Sequence, residues 1–266
     1  MTVSAPTAVI GALRAAGCVF AEDEAALLVE AAAGDADRLA GLVAERVAGT
    51  PLEYLLGWVE FRGLRVGVRP GVFVPRQRTA FLVERAVAGV APGAAQVCVV
   101  DLCCGCGALG LAAATELGAR GHDVELAAAD IDPVAVACAR ANLAPLHAPV
   151  FGGDLFDALP GDLRGRIDVL LANTPYVPSD RVADMPPEAR EHEPLVALDG
   201  GADGLYVFRR VAAGAARWLA PGGTVLVETS TGQVESACAI LAGHGLVPRV
   251  EESEEYYATV VLGSRP

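Results

Sequence analysis

The spacing of apolar positions changes twice along the chain, and each change marks a boundary. Over residues 1–50 apolar side chains recur every three or four positions, as in Leu39, Leu42, Val43 and Val47. That period predicts amphipathic helices over 8–16, 23–33 and 35–47. Glu22 and Asp23 open the second, and Asp35, just after Gly34, has the side chain to cap the third. The three make a small helical bundle, either a packing appendage or a substrate-recognition module. Over 51–78 the period drops to two: residues 58–68 roughly alternate around Gly63, which predicts a β-hairpin connector. From 79 to 266 short apolar runs alternate with helical stretches. Strands are expected at 97–102, 124–130, 150–153, 167–172 and 224–229, with two closing strands near 246–251 and 257–262. Helices are expected at 108–117, 133–143, 205–219 and 233–244. Such alternation predicts an α/β fold with a doubly wound, mostly parallel sheet. A short acidic turn joins the last two strands, so the last is expected to run antiparallel.

The run over 167–172 stops abruptly at Asn173-Thr174-Pro175-Tyr176. Ligands of open α/β sheets bind beyond the carboxyl ends of the strands, so this is a candidate reaction site. An amide or exocyclic amine nitrogen is a poor nucleophile because its lone pair is delocalised. The Asn173 carboxamide oxygen can accept one of its N–H groups and the Thr174 carbonyl the other, holding the nitrogen where charge develops. The Tyr176 ring offers a face on which a planar acceptor can stack. An ordinary strand-to-loop turn would use the same residue types.

A second strand end carries a glycine turn: Asp101-Leu102-Cys103-Cys104-Gly105-Cys106-Gly107. Gly105 and Gly107 allow a sharp turn and close approach to a ligand, and with Gly110 they complete G-x-G-x-x-G spacing. The following strand ends at Asp130, followed by Ile131, where a carboxylate can bind ribose hydroxyls. A dinucleotide fits both features. Asp101 separates the possibilities: a carboxylate before the loop suits a cationic ligand bearing an amino-acid group better than a pyrophosphate. S-adenosylmethionine is such a ligand. Asp154-Leu155 follows the third strand and can flank an adenine ring.

Composition narrows the picture further. A net charge of −13 disfavours direct binding to DNA. All 20 basic residues are arginine, consistent with a high-GC bacterial composition. Arg62, Arg65, Arg69, Arg76 and Arg78 crowd the connector, either as a solvated face or as a local patch for an anionic partner. Seven scattered cysteines argue against a disulfide framework, and together with the lack of a leader or membrane span they predict a cytoplasmic protein. Cys103, Cys104 and Cys106 have no second Cys/His pair at zinc-site spacing, so no metal is expected. Glu191-His192-Glu193 reads as surface, and residues 184–187 as a loop over the site.

Taken together, Asp101-Leu102-x-x-Gly105-x-Gly107, Asp130, Asp154-Leu155 and Asn173-Thr174-Pro175-Tyr176 resemble the class I methyltransferases. They are most similar to the HemK/PrmC-type protein-glutamine N-methyltransferases. Pro51-Leu52-x-Tyr54-x-x-Gly57, Val74-Pro75-Arg76 and Glu193-Pro194-Leu195 extend the likeness over nearly the whole chain. The resemblance implies a Rossmann-like, seven-stranded sheet, S-adenosyl-L-methionine as donor (S-adenosyl-L-homocysteine as product), and the glutamine side chain of a release factor as acceptor. It implies that Asp101, Cys103, Cys104, Gly105, Cys106, Gly107, Asp130, Ile131, Asp154, Leu155 and Asn173 line the donor site. Asn173 to Tyr176 would be catalytic, and Phe73, Pro75, Arg76, Tyr176 and Glu193 would face the acceptor. The sequence departs from the family at Thr174, where a first proline is usual. It departs again at Gln77-Arg78-Thr79-Ala80, where Pro, an acid, Thr and an acid are usual. These departures suit a diverged paralogue and leave open a small-molecule acceptor, a nucleic-acid amino group or a non-catalytic binding role.

Overall fold

The computed structural model describes residues 5–266. Helices α1 (Ala5–Ala15), α2 (Ala21–Ala32) and α3 (Ala36–Val47) form the expected bundle around Val9, Leu13, Ala21, Ala25 and Leu28. Asp35 caps α3, its carboxylate accepting the N–H groups of Asp37 and Arg38 at 3.0 Å. A short helix not expected from the pattern, α4 (Leu52–Leu56), precedes the hairpin of β1 (Trp58–Phe61) and β2 (Leu64–Gly67). Also unexpected is α5 (Ala80–Gly89). It buries Ala80, Phe81, Leu82, Val83, Ala86 and Val87, so it is apolar nearly all round and its period is blurred.

The remaining elements follow in βα alternation: β3 (Gln96–Leu102), α6 (Ala108–Ala119), β4 (Asp123–Asp130), α7 (Pro133–Leu143), β5 (Val150–Gly152) and β6 (Ile167–Ala172). Then come α8 (Pro187–His192), α9 (Tyr206–Trp218), β7 (Leu219–Thr229), α10 (Val234–Gly243), β8 (Val247–Ser253) and β9 (Ala258–Ser264). The short α8 begins at Pro187, the last residue of the stretch read as a loop. Strand β7 starts five residues earlier than its apolar run, because a register shift against β6 lets the Pro221-Gly222-Gly223 segment stay in the sheet without apolar side chains.

Seven strands form one sheet in the order β5-β4-β3-β6-β7-β9-β8. Strands β3 to β7 pair in parallel, and β9 runs antiparallel to both of its neighbours, as the acidic turn suggested. Central strand β3 is buried from Val97 to Leu102, the near-continuous apolar run of a parallel strand covered on both faces. One face packs on α5, α6 and α7 through Phe81, Leu109 and Val136. The other packs on α9 and α10 through Phe208, Trp218 and Leu241. The chain winds outward from β3 through β4 to β5, then crosses back to β6 on the opposite side. That reversal puts a crevice at the carboxyl ends of β3 and β6, where a doubly wound sheet binds its ligand.

Candidate active site

The register fixes what meets in that crevice. Leu102 of β3 is the Cα partner of Ala172 of β6, so the glycine turn and Asn173 leave the sheet side by side. A cavity of about 520 Å³ opens there. Its wall includes Cys103, Cys104, Gly105, Cys106, Asp130, Ile131, Asp154 and Leu155 on one side, and Phe73, Pro75, Arg76 and Asn173 to Tyr176 on the other. Two segments more than sixty positions apart in sequence, both read as candidate sites, thus face one space.

The donor side is held by main-chain N–H groups. Asp130 accepts from Gly105 N at 2.8 Å and from Asp132 N at 2.9 Å, which ties the loop to the end of β4. Each Asp130 oxygen keeps a lone pair for a further donor such as a hydroxyl. Burial raises the Asp130 carboxyl above its ordinary range, while these two N–H bonds pull it back. Gly107 adopts φ +81 and starts α6. Cys103 (φ +56) and Leu155 (φ +48) occupy the same left-handed region without being glycine, and both lie on the cavity wall. Backbone strain of this kind gathers at ligand sites. Burial pushes the thiols of Cys103, Cys104 and Cys106 well up, so they stay protonated and act as small apolar groups.

Three residues expected in the site stand behind its wall. Asp101 is 0 % exposed. One oxygen holds Gly110 N at 2.8 Å while the other has no partner, so its contact runs to α6 rather than into the cavity. Gly107 also lies outside the lining, with Leu143 and Ala139 against it. Glu193, read at once as surface and as acceptor-facing, is neither. It is buried and accepts Val74 N at 3.0 Å and Arg76 Nη2 at 2.5 Å, bracing the wall from the rear. Four of the five connector arginines are paired with acids: Arg62 with Glu116, Arg65 with Glu30, Arg76 with Glu193 and Arg78 with Glu228.

On the acceptor side the decisive feature is Asn173. Its Oδ1 is buried without a hydrogen-bond partner, and no described residue bonds its Nδ2. A 180° turn of the carboxamide therefore breaks no protein bond, and either end can meet a ligand. The Thr174 carbonyl likewise accepts no hydrogen bond from the described residues. The next residues are held firmly. Gln233 Nε2 donates to the Tyr176 carbonyl at 3.0 Å, and Val177 N donates to Leu198 O at 3.2 Å. Gly204 (φ +74) lies where a Cβ would run into the Tyr176 carbonyl, so only glycine lets the two segments close. Arg76 stacks over Phe73 at 4.9 Å.

Sequence reading missed Arg78, Glu228 and Gln233. Arg78 was visible as one of five crowded arginines and within the Gln77-Arg78-Thr79-Ala80 departure, without its partners. Glu228 had a usable signal: it is a lone acid at the end of a buried apolar strand, and such a residue requires a partner.

This fold and crevice define a methyltransferase. The family model described as "Methyltransferase small domain" matches residues 64–185. A solved methyltransferase from Pyrococcus furiosus superposes with a TM-score of 0.56 at 14% identity, covering 77% of this chain and 90% of that one, which supports the fold. Among curated proteins, the release factor glutamine methyltransferase of Geobacter sulfurreducens is 39% identical over 207 residues, 77% of this chain and 69% of its own length. The 4-amino-L-phenylalanine/4-methylamino-L-phenylalanine methyltransferase of Streptomyces pristinaespiralis is 36% identical over 208 residues, 76% of this chain and 69% of its own. The chain belongs to the release factor glutamine methyltransferase family.

Proposed function

We propose that this enzyme moves a methyl group from S-adenosylmethionine to the side-chain nitrogen of a glutamine in a release-factor protein. The observation that carries the reading is the unpaired Asn173 carboxamide, buried at the cavity beside the glycine turn. A buried polar atom left without a partner costs about 1–3 kcal/mol, so its retention at the cavity wall favours a ligand that completes it.

The cavity chemistry fits the donor. Asp130 has spare lone pairs for ribose hydroxyls, while Ile131 and Leu155 supply apolar walls for a flat base. When bound, S-adenosylmethionine supplies an electrophilic methyl on a sulfonium. The protein's part is orientation and charge stabilisation. Asn173 Oδ1 accepts one N–H of the acceptor and the Thr174 carbonyl the other. Positive charge growing on that nitrogen is then met by two oxygen dipoles of the turn in place of water. The Tyr176 ring keeps the amide plane aligned. The N-terminal bundle, taken as residues 1–50, serves substrate recognition. Its Arg46 pairs with Glu188 of α8 at 3.1 Å, linking the bundle to the segment that continues into the cavity rim.

The test is to incubate the purified chain with S-adenosylmethionine and release factor and map methylated peptides by mass spectrometry. One added methyl on a glutamine supports the reading; an unmodified release factor overturns it. A second reading, methylation of a small aromatic amine, is favoured by the Streptomyces pristinaespiralis relative, whose name describes such an acceptor. Label in 4-aminophenylalanine but not in release factor would select it. A nucleic-acid acceptor meets opposition from the −13 charge and from the pairing of Arg62, Arg65, Arg76 and Arg78 with acids.

A further inference from the structure

We propose that Arg78 and Glu228 are a positioning pair that fixes the Tyr176 ring and, through it, the acceptor nitrogen; the inference rests on the acceptor site argued above. Three hydrogen bonds close a ring. Arg78 Nε donates to Glu228 Oε1 at 3.0 Å, Arg78 Nη2 donates to Tyr176 Oη at 2.6 Å, and Tyr176 Oη donates to the same Glu228 Oε1 at 2.9 Å. The phenol oxygen is thus donor and acceptor at once, with an ionised partner on each side. Bonds to charged groups are about twice as strong as neutral ones.

The sheet puts the pair where it can act. Leu171 of β6 is the Cα partner of Leu226 of β7. Asn173 and Glu228 each lie two residues beyond that rung, and Glu228 reaches the turn through its bond to the Tyr176 phenol. Glu228 therefore backs the reaction turn. It is 3 % exposed and its Oε2 has no partner, so the carboxylate depends on a compensating cation. Arg78 supplies it from the cavity wall, where its side chain is 48 % exposed. Tyr176 is consequently held at two ends: its carbonyl by Gln233, its phenol by Arg78 and Glu228. Swinging the ring breaks bonds to both members of the pair. A platform fixed this way matters because a displacement of about 1 Å can cost on the order of 100-fold in rate.

The experiment is a double-mutant cycle on methyl transfer to full-length release factor, or to 4-aminophenylalanine should that be the acceptor, with donor affinity measured by calorimetry. Arg78→Met combined with Glu228→Gln removes the pair without leaving a lone buried charge. It is expected to lower kcat about tenfold or more while S-adenosylmethionine affinity stays within about twofold. Arg78→Lys keeps the charge and loses the fork, and it is expected to retain part of the rate. In a Tyr176→Phe background, the same Arg78→Met/Glu228→Gln replacement is expected to add less than about twofold, because the oxygen the pair acts through is already gone. A pair-variant effect as large in Tyr176→Phe as in the wild type would overturn the proposal, as would unchanged kinetics of the folded Arg78→Met/Glu228→Gln enzyme. A wild type that methylates neither probe overturns the acceptor site itself and the pair with it, whereas an active wild type with an unaffected pair variant overturns the pair alone.

Discussion

The two walls of the cavity are built in opposite ways. The donor wall is a main-chain structure: Gly105 N, Gly110 N and Asp132 N bond to carboxylates of Asp130 and Asp101 across sequence separations of 25, 9 and 2 residues. The acceptor wall is a side-chain structure. Tyr176 meets Arg78 across 98 residues, Glu228 across 52 and Gln233 across 57. The difference shows what each wall can tolerate. A loop shaped by glycines and N–H bonds accepts three cysteines without loss of form, because their side chains carry none of its geometry. A turn shaped by long-range side-chain bonds depends on residue identity at each partner.

The sharpest way to break this contrast is Asn173→Ala. One wall should fail while the other survives. Removing the unpaired carboxamide is expected to cut methyl transfer by about 100- to 1,000-fold, the usual loss when one polar group that meets the developing charge is deleted. Calorimetric affinity for S-adenosylmethionine should hold within a few-fold, because the main-chain donor loop is untouched. A variant that still turns over at the wild-type rate would remove Asn173 from the chemistry. One that transfers nothing because it no longer binds the donor would erase the separation between the walls.

Glycine substitutions probe the donor wall from the other side. Gly107 has φ +81, and a Cβ there would stand 3.2 Å from Leu143 and 3.3 Å from Ala139. Gly105 has φ +56 with nothing within 4 Å. Gly107→Ala combines backbone strain with crowding and should cost about 2 kcal/mol or more. Gly105→Ala carries the strain alone, about 1–2 kcal/mol. Urea unfolding measures both. Equal losses would mean that packing against α7 does not set the turn.

The same contrast explains what could be read from the chain and what could not. The βα alternation, the glycine turn with Asp130, and Asn173 after a buried strand are local patterns, and the sheet brings them together as a doubly wound topology requires. Asp101 was misplaced because its position before the loop says nothing about which side of the strand end it faces. It turns under α6 and holds Gly110. Glu193 was misread because its partners, Val74 and Arg76, lie more than a hundred residues back. Arg78 and Glu228 are separated by 150 residues, and no periodicity encodes such a pair. Helix α5 escaped notice because burial on most sides removes the polar stripe that reveals a helix.

Asp101 sharpens the comparison through pH. Burial raises its carboxyl to about 8, the Gly110 N–H opposes the shift, and Asp130 adds to it. In the unfolded chain the group titrates near 3.9. Between those values the folded protein holds a proton that the unfolded chain releases. Wild-type stability contributed at this site is thus fully present below about pH 4 and lost as pH rises toward 8, by up to about 1.4 kcal/mol per unit. Asp101→Asn keeps an oxygen for Gly110 and cannot ionise. Its stability relative to wild type should therefore climb from pH 5 to pH 8 in parallel urea titrations. A difference that stays flat would mean that Asp101 is already ionised in the folded protein.

The smallest effect tests whether Thr174 acts by its main chain alone. Its side chain is buried and the hydroxyl has no partner, whereas its carbonyl is the group assigned to the acceptor. Thr174→Val keeps the branched shape and removes the orphan hydroxyl. Deleting an unsatisfied buried polar group should stabilise the fold by about 1 kcal/mol, read as a raised urea midpoint. Methyl transfer should change by less than about threefold, because the carbonyl and the restraint from Pro175 both remain. A large loss of transfer in a folded Thr174→Val enzyme would instead assign the hydroxyl a direct role and make this turn a side-chain site from Asn173 through Tyr176.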